Sequence, residues 1–513
     1  SGNLNVVAVA APTQLKSTGL QTIGANGILV QGAAAGTDFS SAIVGGGGQN
    51  ITAGAAGIVL NGGTGGFGNF ADILVPDGSL GGQTITINGG GSFNLNGGSG
   101  QFNSAVVQST GAGGQTITFT GAGSVLNIRG GSGGISSNYA EVASLMTQAI
   151  HFLAGGAINL TGGNIGTEAD ATIQALGSQT IDGNPDITLR GGTSGGSVNR
   201  GNFAEIGAFG APTDVQTISA HNLTLLGGAG VESFAVIVGS PGGRQDLTAT
   251  GAVILTGGSG IDAGAVIGNP GSFFLGLTGV NVTLNATGPI TLTAGSGAVG
   301  ADGIGGSALI GAIGGFSANI TINGQSGVTL SRGGSTINTA LIGSDTGGGT
   351  LTVKAGLGGT GTLAVNDGTI KTTGSIALTA PDIVIGTGSI NAGAGSSVTI
   401  TSSATGGAVS LGSGTTPNSL GLSNAELAQI TAGTLTINGG AIATDGTGPV
   451  SVSGIATVSL IGSSVQFNND FTVNGDLLVL ATGAVNLTAG AARVQVQANN
   501  VTINSGSLTL NGG

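Results

Sequence analysis

The sequence predicts an all-β solenoid, a right-handed parallel β-helix with three short strands per coil and Gly-rich turns. Three recurring marks predict it. A Gln-(Thr/Asn)-Ile opening stands at Gln21, Gln49, Gln83, Gln115, Gln179 and Gln216, with a degenerate copy at Gln245. A Leu before a glycine pair follows at Leu60, Leu95, Leu160, Leu189, Leu225 and Leu255, with Ile128 in the same slot. An Ala that opens a third run stands at Ala42, Ala71, Ala105, Ala140, Ala204, Ala235, Ala265, Ala308 and Ala340. The marks advance together with a period of roughly 29–38 residues, the signature of stacked supersecondary units.

One repeat shows why each run is a strand. In Gln83-Thr-Ile-Thr-Ile-Asn88, Ile85 and Ile87 fall on one face and Thr84 and Thr86 on the other, the period of two that an extended chain imposes. A second run, Ser92-Phe-Asn-Leu-Asn96, ends at Gly97-Gly98, and a loop leads to a third, Asn103-Ser-Ala-Val-Val107. Coils stacked about 4.8 Å apart would set Ile on Ile and bury continuous apolar columns. The glycine pairs are expected to supply corner φ values that other residues resist. The Gly-Xaa-Gly-Xaa-Asn strings before the third run, as in Gly65-Gly66-Phe67-Gly68-Asn69, read as exposed loops of variable length.

Composition agrees with a packed solenoid. Charged residues make up 6% and glycine numbers 110 in 513 residues, yet hydrophobic content is 39% and mean hydropathy +0.41. Disorder requires low hydrophobicity with high net charge, so that class is excluded. Net charge is −12, from 21 acidic and 9 basic residues scattered singly. No basic face for nucleic acid can be built from those. No apolar run is long enough for a membrane-spanning helix. Cysteine is absent, so folding needs no oxidising compartment. Ser1 opens without a basic signal region, and Asn511-Gly512-Gly513 stops in mid-phrase, as in a stretch of a longer chain.

Residues 1–350 read as long-coil, Gly-rich repeats. Residues 351–513 read as shorter coils continuing the same solenoid, with tight units such as Gly374-Ser-Ile-Ala-Leu-Thr379 and Ser397-Val-Thr-Ile-Thr401. Ser423-Asn-Ala-Glu426, followed by Leu427, is a capping-box pattern and predicts one helical turn. Tyr139 to Leu153 is helix-like in composition. Aligned on the repeat, however, Tyr139-Ala-Glu-Val142 takes the slot of Phe203-Ala-Glu-Ile206, and Ile150 that of the first-run Ile, so strands and a loop are predicted.

Two stretches carry a family resemblance. Leu422-Ser-Asn-Ala-Glu-Leu-Ala-Gln-Ile-Thr-Ala-Gly-Thr-Leu-Thr-Ile437, preceded by Gly374 to Ile385 and Ser389-Ile-Asn-Ala392, resembles the repeat idiom of filamentous-haemagglutinin-type exoproteins. The Gln-Thr-Ile…Leu-Xaa-Gly-Gly…Asn-Xaa-Ala-Xaa-Ile phrase is similar to glycine-rich arrays in the same proteins. The family's Asn-Pro-Asn-Gly secretion motif is absent, and Gly24-Ala-Asn-Gly27 is the nearest string. The resemblance implies a stalk or fibre portion on the bacterial surface. It also implies an outer-membrane secretion transporter as partner.

Candidate chemistry is sparse. Polysaccharide cleavage would need clustered carboxylates on adjacent coils. Glu168 with Asp170, which could share a strand face at i, i+2, and Asp182 with Asp186 are the close acidic pairs, with Arg190 and Arg200 nearby. Solvated turn residues are the favoured reading of all of them. His151 and His221 stand in different repeats, which disfavours a metal site. Gly257-Gly-Ser-Gly-Ile-Asp-Ala-Gly-Ala265 approaches a calcium-roll nonapeptide with Asp262 in the metal position, but tandem carboxylates are missing. Outward Thr84, Thr86, Thr116, Thr118 and Thr180 form a row broken at Ala149 and Asp246, which strand preference explains. No catalytic, cofactor or metal residue is assigned.

The expected function is therefore structural: a secreted rod or fibre subunit of a bacterial adhesin, filament or extracellular matrix, able to form a homopolymer by head-to-tail stacking of coil ends. The alternative is a carbohydrate-active or glycan-binding β-helix, which acidic and aromatic residues converging on one groove would favour.

Overall fold

In the computed structural model the regular structure is nearly all strand, paired in parallel. The structure describes residues 2–34, 38–133, 137–197, 200–271, 279–301, 303–335, 337–413, 419–444, 448–489 and 493–511. Two compact units are formed. One comprises Ser1–Thr283, Thr293–Leu309 and Gly333–Asn338; the other comprises Leu284–Leu292, Ile310–Arg332 and Thr339–Gly513.

In the first unit, each repeat contributes one strand to each of three parallel sheets. The Gln strands stack in strict register: Gln49 pairs with Gln83, Gln83 with Gln115, Gln115 with Gln148 and Gln148 with Gln179. The second sheet stacks Leu60, Leu95, Ile128, Leu160 and Leu189. The third stacks Ala42, Ala71, Ala105, Ala140, Ala171 and Ala204. The three sequence marks are thus three columns of one β-helix. Ala140–Ser144 and Gln148–Phe152 are strands, as alignment on the repeat predicts against their helix-like composition.

The core contains more than aliphatic columns. The repeat's Gln lies two residues before an inward Ile, so it faces inward as well. Gln49, Gln83, Gln115, Gln148, Gln179, Gln216 and Gln245 are all buried. Each Nε2 donates to the Oε1 of the Gln one coil earlier, at 2.6–2.9 Å, from Gln245 back to Gln21. The second amide proton reaches a third-sheet carbonyl, for example Gln115 to Val107 and Gln148 to Val142. Burying an amide is costly unless it is paired, and this ladder pairs it from coil to coil up to Gln245, whose Oε1 ends the run without a partner among the described residues. Inward Phe119 and Phe152 stack beside it with centroids 4.4 Å apart and planes inclined at 11°.

Two local expectations are corrected. The glycine corner between the first and second runs does use left-handed φ, at Gly89 and Gly90, but the pair that ends the second run does not; none of Gly97, Gly98, Gly130 or Gly131 is among the positive-φ residues. Close approach is the constraint instead. A Cβ on Gly97 would overlap the carbonyl oxygen of Asn138, and one on Gly130 that of Ala169. The Asn that closes each long loop is not exposed either. Asn69, Asn103, Asn138 and Asn202 are buried. Asn103 Oδ1 accepts from the Asn69 amide at 2.8 Å and Asn138 Oδ1 from the Asn103 amide at 2.9 Å, while Asn103 Nδ2 holds the Gly65 carbonyl at 2.9 Å. A second asparagine ladder cinches the loop bases.

The second unit uses the same parallel stacking with tighter coils. Ile320 pairs with Leu351, Leu351 with Ile376, Ile376 with Val398, Val398 with Leu435, Leu435 with Val458 and Val458 with Leu477. The predicted helical turn is Asn424–Leu427, with both capping-box bonds present. Glu426 adds a tie: its Oε1 accepts from the buried Ile385 amide at 3.0 Å.

Gln115→Leu is expected to cost about 2–4 kcal/mol, because Gln83 and Gln148 each lose a buried partner. Urea unfolding of the variant measures this, and a cost below 0.5 kcal/mol would remove the ladder's stabilising role. Gly97→Ala is expected to cost about 3 kcal/mol or more through main-chain overlap that cannot relax in a packed interior, read as a lowered melting temperature.

Candidate functional site

The outer face of the third sheet in the first unit is where chemistry-bearing side chains converge. Alternation sends Ala71, Ile73 and Val75 inward and Asp72 and Leu74 outward. Stacking then builds an outward column of Ile43, Asp72, Val106, Glu141, Thr172 and Glu205. Phe70, Tyr139, Asp170 and Phe203 stand just before these strands, and Gln108 and Gln174 two residues further along them. A cleft of about 200 Å³ opens here, with Phe70, Asp72, Ser104, Gln108 and Tyr139 among its walls.

Of the acids on this face Glu205 is buried, while Asp72, Glu141 and Asp170 are half-buried. Burial, with the like charge of Glu141 added, pushes Asp72 up to about 7. Burial alone pushes Glu141 up to about 7. Glu205 is raised to about 8 by burial, then by Asp170 and Glu141, against a lowering bond from Gln174 Nε2 to its Oε1 at 3.1 Å. Asp170 is raised well above the usual range by burial, although the Phe203 amide donates to its Oδ1 at 3.0 Å. The Tyr139 phenol is raised by burial and by Glu141, with the Ser104 side chain acting in the lowering direction. Among the described residues nothing donates a hydrogen bond to Asp72 or Glu141, and no cation pairs with either.

The acidic pairs singled out from sequence lie elsewhere or part company. Glu168 and Asp170 share no strand, since the strand begins at Ala171. Glu168 turns to Arg200 at 3.7 Å and accepts from Ser137, whereas Asp170 joins the acidic face. Asp182 and Asp186 face neighbouring coils: His151 Nδ1 meets Asp182 at 2.8 Å and His221 Nδ1 meets Asp186 at 3.0 Å. The two histidines are thus held on different coils. Arg190 borders a polar trough of about 370 Å³ along the glycine corners. The amides of Gly191, Gly227 and Gly257 there all donate to the next coil, leaving little for a ligand. Asp262 is buried, and its Oδ1 accepts from the amides of Gly300 at 2.9 Å and Gly305 at 2.8 Å, a loop clasp rather than a calcium-roll ligand. Among the described residues no group of three or more His, Cys, Asp or Glu could hold a metal.

Asp72, Glu141 and Glu205 escaped the sequence reading, yet a signal was present. Each follows the third-run Ala, at Ala71, Ala140 and Ala204, so alignment on that mark places all three in one column. Their spacing along the chain hides this, because each stands in a different repeat.

No family model matches the chain, and no curated protein or solved structure matches it either.

The raised carboxyls make stability pH-dependent. A carboxyl whose folded value lies above its unfolded value binds more protons in the folded state between the two, so stability falls as pH rises through that window. With ordinary values of 3.8 and 4.5 and folded values of about 7 to 8, the melting temperature is expected to be several degrees lower at pH 8 than at pH 5. Glu141→Gln should flatten that slope in differential scanning calorimetry.

Proposed function

We propose that this chain is a structural segment of a secreted bacterial surface protein, a β-helical scaffold for a stalk, fibre or matrix. The resemblance to filamentous-haemagglutinin-type exoproteins points to that setting and to an outer-membrane transporter as the export partner. The observation that carries the reading is the glutamine ladder. Polar side chains that a binding protein would direct outward are spent bonding one coil of the first unit to the next. Such a scaffold lengthens by repetition, since each unit brings its own rung. What remains outside the coils is chiefly Ser, Thr, Asn and Gly, a surface suited to spacing and display. Leu508 and Leu510, exposed on Val501–Asn511, offer apolar surface for stacking with a second copy or with further coils.

A second reading, a carbohydrate-active or glycan-binding β-helix, draws support from the acidic and aromatic third-sheet face. Hydrolysis is disfavoured by its electrostatics. A glycosidase pair needs one protonated and one ionised carboxyl, hence environments that drive the two apart. The four shifted carboxyls here all move in the same direction.

Electron microscopy of the purified chain is expected to show unbranched elongated particles, and compact particles would overturn the scaffold reading. Incubation with acidic polysaccharides is expected to release no reducing or unsaturated ends. Their release would establish the enzymatic reading instead.

A further inference from the structure

Asparagine followed by glycine is a self-reactive step in a polypeptide. The main-chain nitrogen after the asparagine can attack its side-chain amide, and glycine has no side chain to block the approach. Such steps stand at Asn26, Asn61, Asn88, Asn96, Asn323, Asn438, Asn474 and Asn511. Sequence makes them chemically alike, but the coils separate them. The attacking nitrogen must be free of a hydrogen bond. The amides of Gly62, Gly97 and Gly439 are not, since they donate to the carbonyls of Asn96, Arg129 and Ile461 at 2.8–3.0 Å. Asn26 and Asn323 lie within strands, where the sheet holds the main chain extended. Gly512 lies outside the described residues. Among the described residues the amides of Gly89 and Gly475 donate no hydrogen bond, and neither glycine lies in a strand.

Asn88 has a second feature. Phe119 stacks on Ile87 in register, which sets Thr120 beside Asn88 one coil further on. The Thr120 hydroxyl donates to Asn88 Oδ1 at 3.0 Å. That bond polarises the side-chain carbonyl and stabilises the oxyanion that attack would form there. Gly89 is exposed, with a φ of 65°, in a turn where the Gly91 amide donates to the Asn88 carbonyl at 3.3 Å. A free nucleophile, a polarised electrophile and access to water thus meet at one residue. Asn474 has the free amide without such a donor among the described residues.

We propose that Asn88 is a site of spontaneous deamidation, with the Thr120 hydroxyl as its activating neighbour. The Gly89 nitrogen forms a bond to Asn88 Cγ and gives its proton to the solvent. The Cγ–Nδ2 bond breaks, and the nitrogen leaves as ammonia with a proton taken from water. A water molecule then opens the resulting succinimide at either carbonyl, yielding aspartate or isoaspartate. No oxidant or reductant takes part. The product turns the neutral corner Asn88-Gly-Gly-Gly91 acidic. Isoaspartate also reroutes the main chain through Cγ and lengthens the turn. This chemistry goes beyond the scaffold reading and does not rest on it.

Ageing the whole chain in warm, mildly alkaline buffer, followed by digestion and mass spectrometry that separates aspartate from isoaspartate, tests this. Asn88 is expected to convert at least about tenfold faster than Asn61, Asn96 and Asn438, a modest share of what one oxyanion donor supplies in an enzyme. Asn474 should fall between, and Asn88 should yield both acids. Thr120→Val removes the hydroxyl and suits a strand end. It should slow Asn88 severalfold and leave Asn474 unchanged, with circular dichroism showing the fold retained. In urea, which needs no variant, all the steps should convert at similar rates, because the bonds that distinguish them are gone. Asn88 left intact while the others convert, the same rank order in urea, aspartate without isoaspartate, or an unchanged rate in a folded Thr120→Val would overturn the proposal.

Discussion

A parallel stack of coils sets one condition that the rest of the first unit obeys: an interior side chain meets its own counterpart about 4.8 Å above and below. For Ile and Val this is simple packing. For Gln it is a demand, because every buried amide needs both a donor and an acceptor. The primary amide answers it, donating upward while accepting from below, as amide ladders do wherever identical strands stack in register. The ladder from Gln21 to Gln245 therefore locks register and burial together. A one-residue slip would turn every Gln and Ile outward at once.

That lock explains how the loops vary without disturbing the coils. Successive rungs are separated by as few as 28 and as many as 37 residues. The excess is taken up by the glycine-rich loops, and the buried asparagines at Asn69, Asn103, Asn138 and Asn202 close each loop onto its neighbour. Corner glycines complete the arrangement by letting main chains from adjacent coils touch. The second unit works without the long loops, and there a capping-box carboxylate, Glu426, serves as a cross-coil tie through the Ile385 amide.

The same stacking creates the acidic face. Residues in one slot of the repeat must share a column, so Asp72, Glu141 and Glu205 align however far apart they stand in the chain. Val106 and Thr172 keep them from direct contact, and burial rather than mutual repulsion is the largest cause of each shift. Scaffold and candidate site thus follow from one geometry: inward slots hold the coils together, and outward slots gather whatever chemistry the repeat places there.

Much of this was legible in the chain. Alternation within each run and the three-way periodicity determined strand character, the three columns and the inward identity of residues such as Ile85 and Leu95, since those depend only on period and repetition. The capping box at Ser423–Glu426 was legible for the same reason, being local. The left-handed turn at Gly89 and Gly90 was legible too, but the role of the glycine pairs that end the second run was not, because close approach of Gly97 to Asn138 is a relation between coils, whereas φ is a property of one residue. Nor was the partner of any polar group. Glu168 and Asp170 sit close in sequence yet part in space, while Asp72 and Glu141 share one column across two repeats. Sequence determined which way each side chain points; only the stacking decided what it meets, because hydrogen bonds and charge interactions act over a few ångströms and those neighbours lie a full coil away along the chain.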